Sequence, residues 1–180
     1  MVTRPLIRTL DARKAAQRQQ SVEGSLQPGQ LERFSPLLAN DTGTITAELA
    51  FFLDEERRCR VRVQARATVN VVCQRCLNDL AVDLHVDNTP AVVVSDEQAT
   101  QLPRSIEPLV TDSPDDLSLW DVVEEELILA LPAFSYHDTE QCNQTLAAYR
   151  SPTASEPVEE ERPNPFDVLA HLRPDDETRS

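Results

Sequence analysis

Two short motifs supply the side chains best suited to binding a metal. Cys73 and Cys76 form a C-x-x-C pair, and His137 is followed five positions later by Cys142. Three thiolates and one imidazole form a donor set that zinc accepts in tetrahedral sites. Because 60 residues separate Cys76 from His137, this spacing differs from that of a compact zinc finger. The sequence therefore leaves two alternatives open, a zinc site or a pair of free thiols near a surface histidine.

Arginines line one face of a predicted strand. Between residues 58 and 70 apolar and polar side chains alternate, and this alternation places successive side chains on opposite faces. Alternate residues lie about 6–7 Å apart, close to the spacing of phosphates along a nucleic-acid strand. We predict RNA contacts by Arg57, Arg58, Arg60, Arg62, Arg66 and Arg75. The alternative is cross-strand pairing with Glu48, Asp83 or Asp87, which would leave little free positive charge.

The residue types favour a protein that is not an enzyme. Three glycines are too few for the glycine-rich loops that bind dinucleotides or phosphates. The chain has three histidines, and we find no Ser-His-Asp or Cys-His-Asn arrangement. Acidic residues at 121 and 124–126 could act as general acids or bases, but we expect them to form a solvated helix face. No small-molecule substrate is expected.

The charge is strongly asymmetric along the chain. Residues 1–75 contain 12 Lys+Arg and 8 Asp+Glu, whereas residues 76–180 contain 5 and 23, for a net charge of −14. Such asymmetry indicates a face for nucleic acid or another charged partner, joined to an acidic remainder. No run approaches the ~20 apolar residues of a membrane helix. The first eight residues also lack the apolar stretch of a signal peptide, so we expect a cytoplasmic protein without membrane contact.

The predicted fold is a single α+β domain over residues 1–150, built on an antiparallel sheet. Whether the sheet becomes barrel-like is left open. Strands are predicted near 44–52, 58–70, 81–86 and 91–94. Helices are predicted at 9–20 and, as the main packed helix, at 117–131, capped by Asp115 or Asp116 and ended by Pro132. Residues 95–116 are predicted to be irregular.

The remaining residues, 151–180, form a predicted acidic tail. Residues 151–164 combine prolines with four glutamates, a composition typical of disorder. A short amphipathic helix is predicted at 165–172, and a weaker one at 141–149. An amphipathic helix on an acidic tether is typical of a docking element, either for its own domain or for a partner.

Several segments in order resemble the bacterial YceD family of large ribosomal RNA subunit accumulation proteins. They are 72–76 (VCQRC), 95–99, 123–132 with His137, Asp138 and Cys142, and 164–169 (NPFDVL). Ser135 departs from the family pattern, which has a proline between Pro132 and the histidine. The resemblance implies a non-enzymatic role in the synthesis, processing or stability of 23S rRNA. It also implies metal and nucleic-acid binding, with Cys73, Cys76, His137 and Cys142 as the matching metal ligands.

The predicted function is therefore that of a ribosome-assembly factor supporting 23S rRNA accumulation. Its expected partners are 23S rRNA or its precursor and large-subunit assembly intermediates, and its expected cofactor is zinc. A second hypothesis is an acidic, chaperone-like binder of a basic ribosomal protein that makes no RNA contact. A third, a zinc- or thiol-dependent enzyme, would require an open coordination position, which four protein ligands would close.

Overall fold

The computed structural model describes residues 4–138 and Cys142, and within this part the protein has the predicted α+β class. The strands are β1 (Thr9–Leu10), β2 (Ser21–Leu26), β3 (Ile45–Leu53), β4 (Cys59–Val72), β5 (Asp79–Asn88), β6 (Ala91–Val93), β7 (Pro108–Val110) and β8 (Leu117–Ser118). The helices are α1 (Ala12–Gln17), α2 (Asp96–Thr100) and α3 (Leu119–Ala130). The predicted helix at 141–149, apart from Cys142, and the predicted tail 151–180 with its helix at 165–172 lie outside the described residues.

Strand β4 is the centre of a six-stranded sheet with the order β2-β3-β4-β6-β7, in which β5 also pairs with β4. The strands β3 and β5 run antiparallel to β4, whereas β7 runs parallel to β6. The sheet stays open within the described part of the chain, so the barrel-like alternative is not realised there. A separate two-stranded sheet joins β1 to β8.

The alternating pattern of β4 divides the sheet into an apolar face and a polar face. Val61, Val63 and Ala65 are buried, whereas Arg62 and Gln64 between them are exposed. Helices α1 and α3 cover the apolar face, since their own apolar side chains belong to the same core. Burying one such valine or leucine stabilises the fold by about 1.5–3 kcal/mol.

The main helix begins later than the sequence predicts. Asp115 and Asp116 lie in a 3₁₀ turn, and Ser118 is the residue that caps α3, where its hydroxyl accepts a hydrogen bond from the N–H of Asp121. The reason is tertiary: Leu117 and Ser118 pair with β1, which holds them extended. No helix in the described residues has the length and hydropathy needed to cross a membrane.

Two segments were assigned wrongly from the sequence. The predicted helix 9–20 is shorter, because Thr9 and Leu10 pair with β8 and β2 follows from Ser21. Strand β2 contains Gly24, where a Cβ would lie 2.4 Å from the Cα of Leu6. The glycine therefore permits a close crossing of two backbone segments that sequence patterns do not reveal. The second segment, 95–116, contains α2 and β7 rather than being irregular throughout.

Candidate metal centre

The first two cysteines lie in the hairpin turn between β4 and β5. Cys73 follows the last residue of β4, and its N–H donates to the carbonyl of Asn78 at 2.9 Å. The N–H of Leu77 donates back to the carbonyl of Cys73, also at 2.9 Å. Leu77 has φ of 61°, a left-handed conformation that a bulky residue rarely adopts. These two bonds close the turn and direct both thiols to one side.

The chain after α3 brings the other two donors to this turn. The N–H of Gln74 donates to the carbonyl of Ser135 at 2.9 Å, which fixes the returning segment beside the hairpin. His137 Nε2 lies 3.0 Å from the carbonyl oxygen of Asp79. When Nε2 carries the proton it donates this bond, and the lone pair of Nδ1 then faces the thiols. We call the turn 73–78 and the segment 133–138 together the knuckle.

The four predicted ligands converge in the structure. The donor atoms of Cys73, Cys76, His137 and Cys142 all lie within 4.8 Å of one another. The three cysteines are free thiols and are buried, and they form a small core with Leu80 that is separate from the main core. This arrangement can hold a metal ion.

The separations agree with a tetrahedral metal site. Bond lengths of about 2.3 Å to sulfur and about 2.05 Å to nitrogen place two sulfurs about 3.8 Å apart, and a sulfur and a nitrogen about 3.6 Å apart. The sulfurs of Cys73 and Cys142 are 3.7 Å apart. Cys76 Sγ and His137 Nδ1 are 3.4 Å apart. The donor set and these two edges fit zinc.

The cluster also favours at least one thiolate. Burial raises the pKa of the Cys73 thiol, but hydrogen bonds from backbone N–H groups, led by that of Cys76, lower this pKa to about 5. Burial and the neighbouring thiols of Cys76 and Cys73 raise the pKa of Cys142 to about 11. A thiolate is the form of cysteine that binds metals. A divalent cation among the sulfurs would offset the repulsion that opposes ionisation of Cys142.

Three of the six predicted RNA-contacting arginines are paired with protein groups. Arg58 binds Asp54 and Glu56 through contacts of 2.6 and 2.7 Å. Arg60 donates to the carbonyls of Thr89 and Pro90. Arg62 binds both carboxylate oxygens of Asp87, at 2.9 and 2.7 Å. These pairings reduce the positive charge that the three side chains can offer.

The other three arginines make no ion pair among the described residues. Arg57 lies in the turn before β4 and has φ of 62°. Arg66 lies on the polar face of the sheet, directly opposite His85 of β5. Arg75 lies in the knuckle, and its guanidinium carbon is 5.2 Å from the ring centre of Tyr136. The six arginines therefore do not form one continuous surface.

The polar face of the sheet carries more acids than arginines. Glu23 of β2, Glu48 of β3 and Asp87 of β5 lie in one row of the sheet. Strand β4 contributes Gln64 to the same row, between Glu48 and Asp87. Asp83 lies opposite Thr68 of β4 and accepts its hydroxyl hydrogen bond at 2.6 Å. The exposed residues of this face are together named the sheet face, and they are Glu23, Glu48, Arg62, Gln64, Arg66, Thr68, Asp83, His85 and Asp87. At neutral pH its carboxylates outnumber its guanidinium groups.

Comparisons with known proteins agree with the resemblance in the sequence. The family described as "Large ribosomal RNA subunit accumulation protein YceD" matches residues 61–173. A Haemophilus influenzae protein with that name is 32% identical over 166 residues, which cover 92% of this chain and 94% of the relative. The chain belongs to the YceD family. No solved structure matches it.

The YceD match covers most of β4, the knuckle and α3, and so includes all four cluster residues. It begins after the turn containing Arg57 and Arg58. The four cluster residues could be predicted from the sequence, because the C-x-x-C motif and the His-Cys pair stand out by residue type. Their partners in the knuckle, Phe134 and Tyr136, carried no such signal, because isolated aromatic residues in a loop fit no motif.

Glu124 is the other residue whose role the sequence did not reveal. The solvated face expected for the helix acids is wrong at this position, since Glu124 is only 5% exposed. One of its carboxylate oxygens accepts hydrogen bonds from the N–H groups of Arg33 and Phe34, at 2.7 and 3.0 Å. This carboxylate is therefore structural, and it attaches the segment before β3 to α3.

Proposed function

We propose that this protein supports the synthesis, processing or stability of 23S rRNA during assembly of the large ribosomal subunit, without acting as an enzyme. Its similarity to a large ribosomal RNA subunit accumulation protein over 92% of the chain carries the proposal. The proposed partners are 23S rRNA or its precursor and large-subunit assembly intermediates. The role is cytoplasmic, because bacterial rRNA is transcribed and assembled there. It involves neither a membrane nor a small-molecule substrate.

The proposal includes a structural zinc ion held by Cys73, Cys76, His137 and Cys142. Four protein donors complete a tetrahedron and leave no position for water or substrate, as is usual for structural rather than catalytic zinc. The ion would join the β4–β5 turn to the chain that follows α3. Metal analysis after anaerobic purification tests this part, and we expect about one zinc per chain. Absence of stoichiometric zinc would contradict both the structural and the catalytic zinc hypotheses.

The proposal also includes direct contact with RNA. Of the six arginines, Arg57, Arg66 and Arg75 are favoured, because they are not neutralised by carboxylates in the described residues. Arg58, Arg60 and Arg62 remain candidates only if RNA phosphates displace their present partners. Exchanging a protein carboxylate for a phosphate gains little free energy, because one ion pair replaces another.

In-cell ultraviolet crosslinking of the tagged protein, followed by sequencing of the attached RNA, tests direct contact. We expect discrete crosslink sites in 23S rRNA or its precursor, and their positions would identify the assembly stage. Cosedimentation with large-subunit precursor particles without any crosslink would contradict direct contact.

A second candidate function is favoured by the acidic sheet face. Its four carboxylates fit a basic ribosomal protein, so the protein could bind such a partner without touching RNA. In this case the acidic tail would contribute, and deleting residues 151–180 should weaken capture of the basic partner. The RNA-contact hypothesis predicts little change in RNA affinity from the same deletion.

A further inference from the structure

We infer that the outer surface of the knuckle is a binding site for unpaired bases of single-stranded RNA, which stack on Tyr136 and Phe134 while Arg75 contacts the adjoining phosphate. The inference rests on the proposed function and deepens it, because it names the RNA form recognised and the residues that recognise it. The site lies on the outside of the metal cluster and uses none of the four ligands.

The first observation is the distribution of exposed apolar side chains. In the described part of the chain, eight large apolar residues are exposed, and four of them lie in the knuckle or next to it. These four are Val72, Leu77, Phe134 and Tyr136. Leu77 is 76% exposed and Phe134 is 72% exposed. A group of exposed apolar residues on so small a structural unit indicates a binding surface.

The second observation concerns the aromatic rings. Phe34 and Phe51 are buried in the main core, and Phe52 and Trp120 are partly buried. Among the described residues, the exposed aromatic side chains are therefore Phe134 and Tyr136, two positions apart in one segment. Stacking on aromatic rings is the usual way in which proteins hold unpaired bases, since every base has a π face.

The third observation is the position of Arg75. Its guanidinium group lies over the ring of Tyr136 and makes no ion pair among the described residues. A planar guanidinium stacked on a ring keeps its N–H groups available at the edge, where they can bind a phosphate in a bidentate manner. The aromatic ring and the guanidinium group therefore lie next to each other, as the binding of a base and its adjoining phosphate requires.

The fourth observation is that the surface is held in place before any ligand binds. The backbone bond from Gln74 to Ser135 and the bond between His137 and Asp79 fix the two halves of the knuckle. Ser135, between the two aromatic residues, is buried. Because the backbone on both sides is fixed, binding a base costs little conformational entropy.

The test is fluorescence anisotropy with the full-length metal-loaded protein and a labelled single-stranded RNA of about 12 nucleotides, a length typical of single-strand sites. We expect Tyr136→Ala and Phe134→Ala each to weaken binding about 5- to 160-fold, the range for loss of one stacked base. Tyr136→Phe retains the ring and should bind like the wild type. Arg75→Gln should weaken binding and lower the salt dependence by about one phosphate contact.

Val110→Ala is the matched control. Val110 is also an exposed apolar residue, but it lies in β7, which joins the sheet through β6 at Arg60, the opposite end of β4 from the knuckle. Its RNA affinity should equal that of the wild type. Zinc content is measured for every variant. If Tyr136→Ala loses its metal, Phe134→Ala and Arg75→Gln decide the result.

The outcomes separate this inference from the proposed function. Wild-type protein that binds neither the oligonucleotide nor a 23S precursor transcript contradicts direct RNA contact, and the inference falls with it. Wild-type protein that binds, together with knuckle variants that bind equally well, overturns the inference alone. Variants that change self-association in sedimentation, but not RNA affinity, would show instead that the patch is an interface between two copies of this chain.

Discussion

The knuckle and the sheet face present arginines in opposite surroundings. On the sheet face, Arg62 is held by Asp87, and Glu23 and Glu48 lie in the adjacent row. In the knuckle, Arg75 lies over an aromatic ring and has no carboxylate partner among the described residues. The surface that is richest in arginine along the sequence thus carries more carboxylates than guanidinium groups in space. The charge counted along one strand does not predict the charge of the sheet surface, because the neighbouring strands contribute about half of the exposed side chains.

The largest effect is expected in the knuckle, from removing a proposed metal ligand. Cys76→Ser should lower zinc affinity by more than about 100-fold, since loss of an outer-shell partner alone costs 10- to 100-fold. Zinc titration against a chromogenic chelator measures this. Cys59→Ser is the control, because Cys59 packs against the main core and not in the cluster. Cys76→Ser protein that holds zinc as tightly as the wild type would remove Cys76 from the site.

The next effect tests whether the main core and the knuckle are independent. Glu124→Ala leaves the N–H groups of Arg33 and Phe34 without their buried acceptor. We expect the free energy of unfolding to fall by about 3 kcal/mol, as measured in denaturant, with zinc content unchanged. Glu125→Ala removes an exposed ion pair with Arg33 and should cost less than about 1 kcal/mol. Equal losses in the two variants would contradict the structural role of Glu124.

A smaller effect tests whether the carboxylates of the sheet face prevent its arginines from binding RNA. Arg62→Gln should leave RNA affinity unchanged and cost about 0.2–1 kcal/mol of stability, the usual range for an exposed pair. RNA binding by anisotropy and unfolding in denaturant measure the two quantities. A large loss of RNA affinity would show that Arg62 leaves Asp87 to bind phosphate, and the comparison between the two regions would then fail.

The smallest effect is expected when the acidic partner of Arg62 is replaced instead of the arginine. Asp87→Asn removes the partner of Arg62, and it should raise RNA affinity about twofold at low salt, because one positive charge becomes available. The gain should disappear at high salt, where exposed charges are screened. Thr68→Val lies on the same face of the sheet, on the strand that carries Arg62, and serves as the control because it changes no charge. A decrease in RNA affinity with Asp87→Asn would contradict the electrostatic argument.

Patterns with a short period were predicted well from the sequence. The predicted alternation in β4 was confirmed from Val61 to Asn70, because one buried face imposes a period of two on the strand. The core of α3 was also found, although its first residue was misplaced. The cysteines and the histidine were recognised by residue type alone, because few side chains bind zinc.

By itself, the sequence determined the α+β class, the arginine-bearing strand and the identity of the four cluster residues. Only the tertiary structure decided that Cys76 and His137, 61 positions apart, meet at 3.4 Å. It also decided that Arg62 is paired, that Glu124 is buried and that Tyr136 lies beneath Arg75. The physical reason is the same in each case. A side chain's type and period are local properties, whereas its partners come from segments that only the folded backbone brings together.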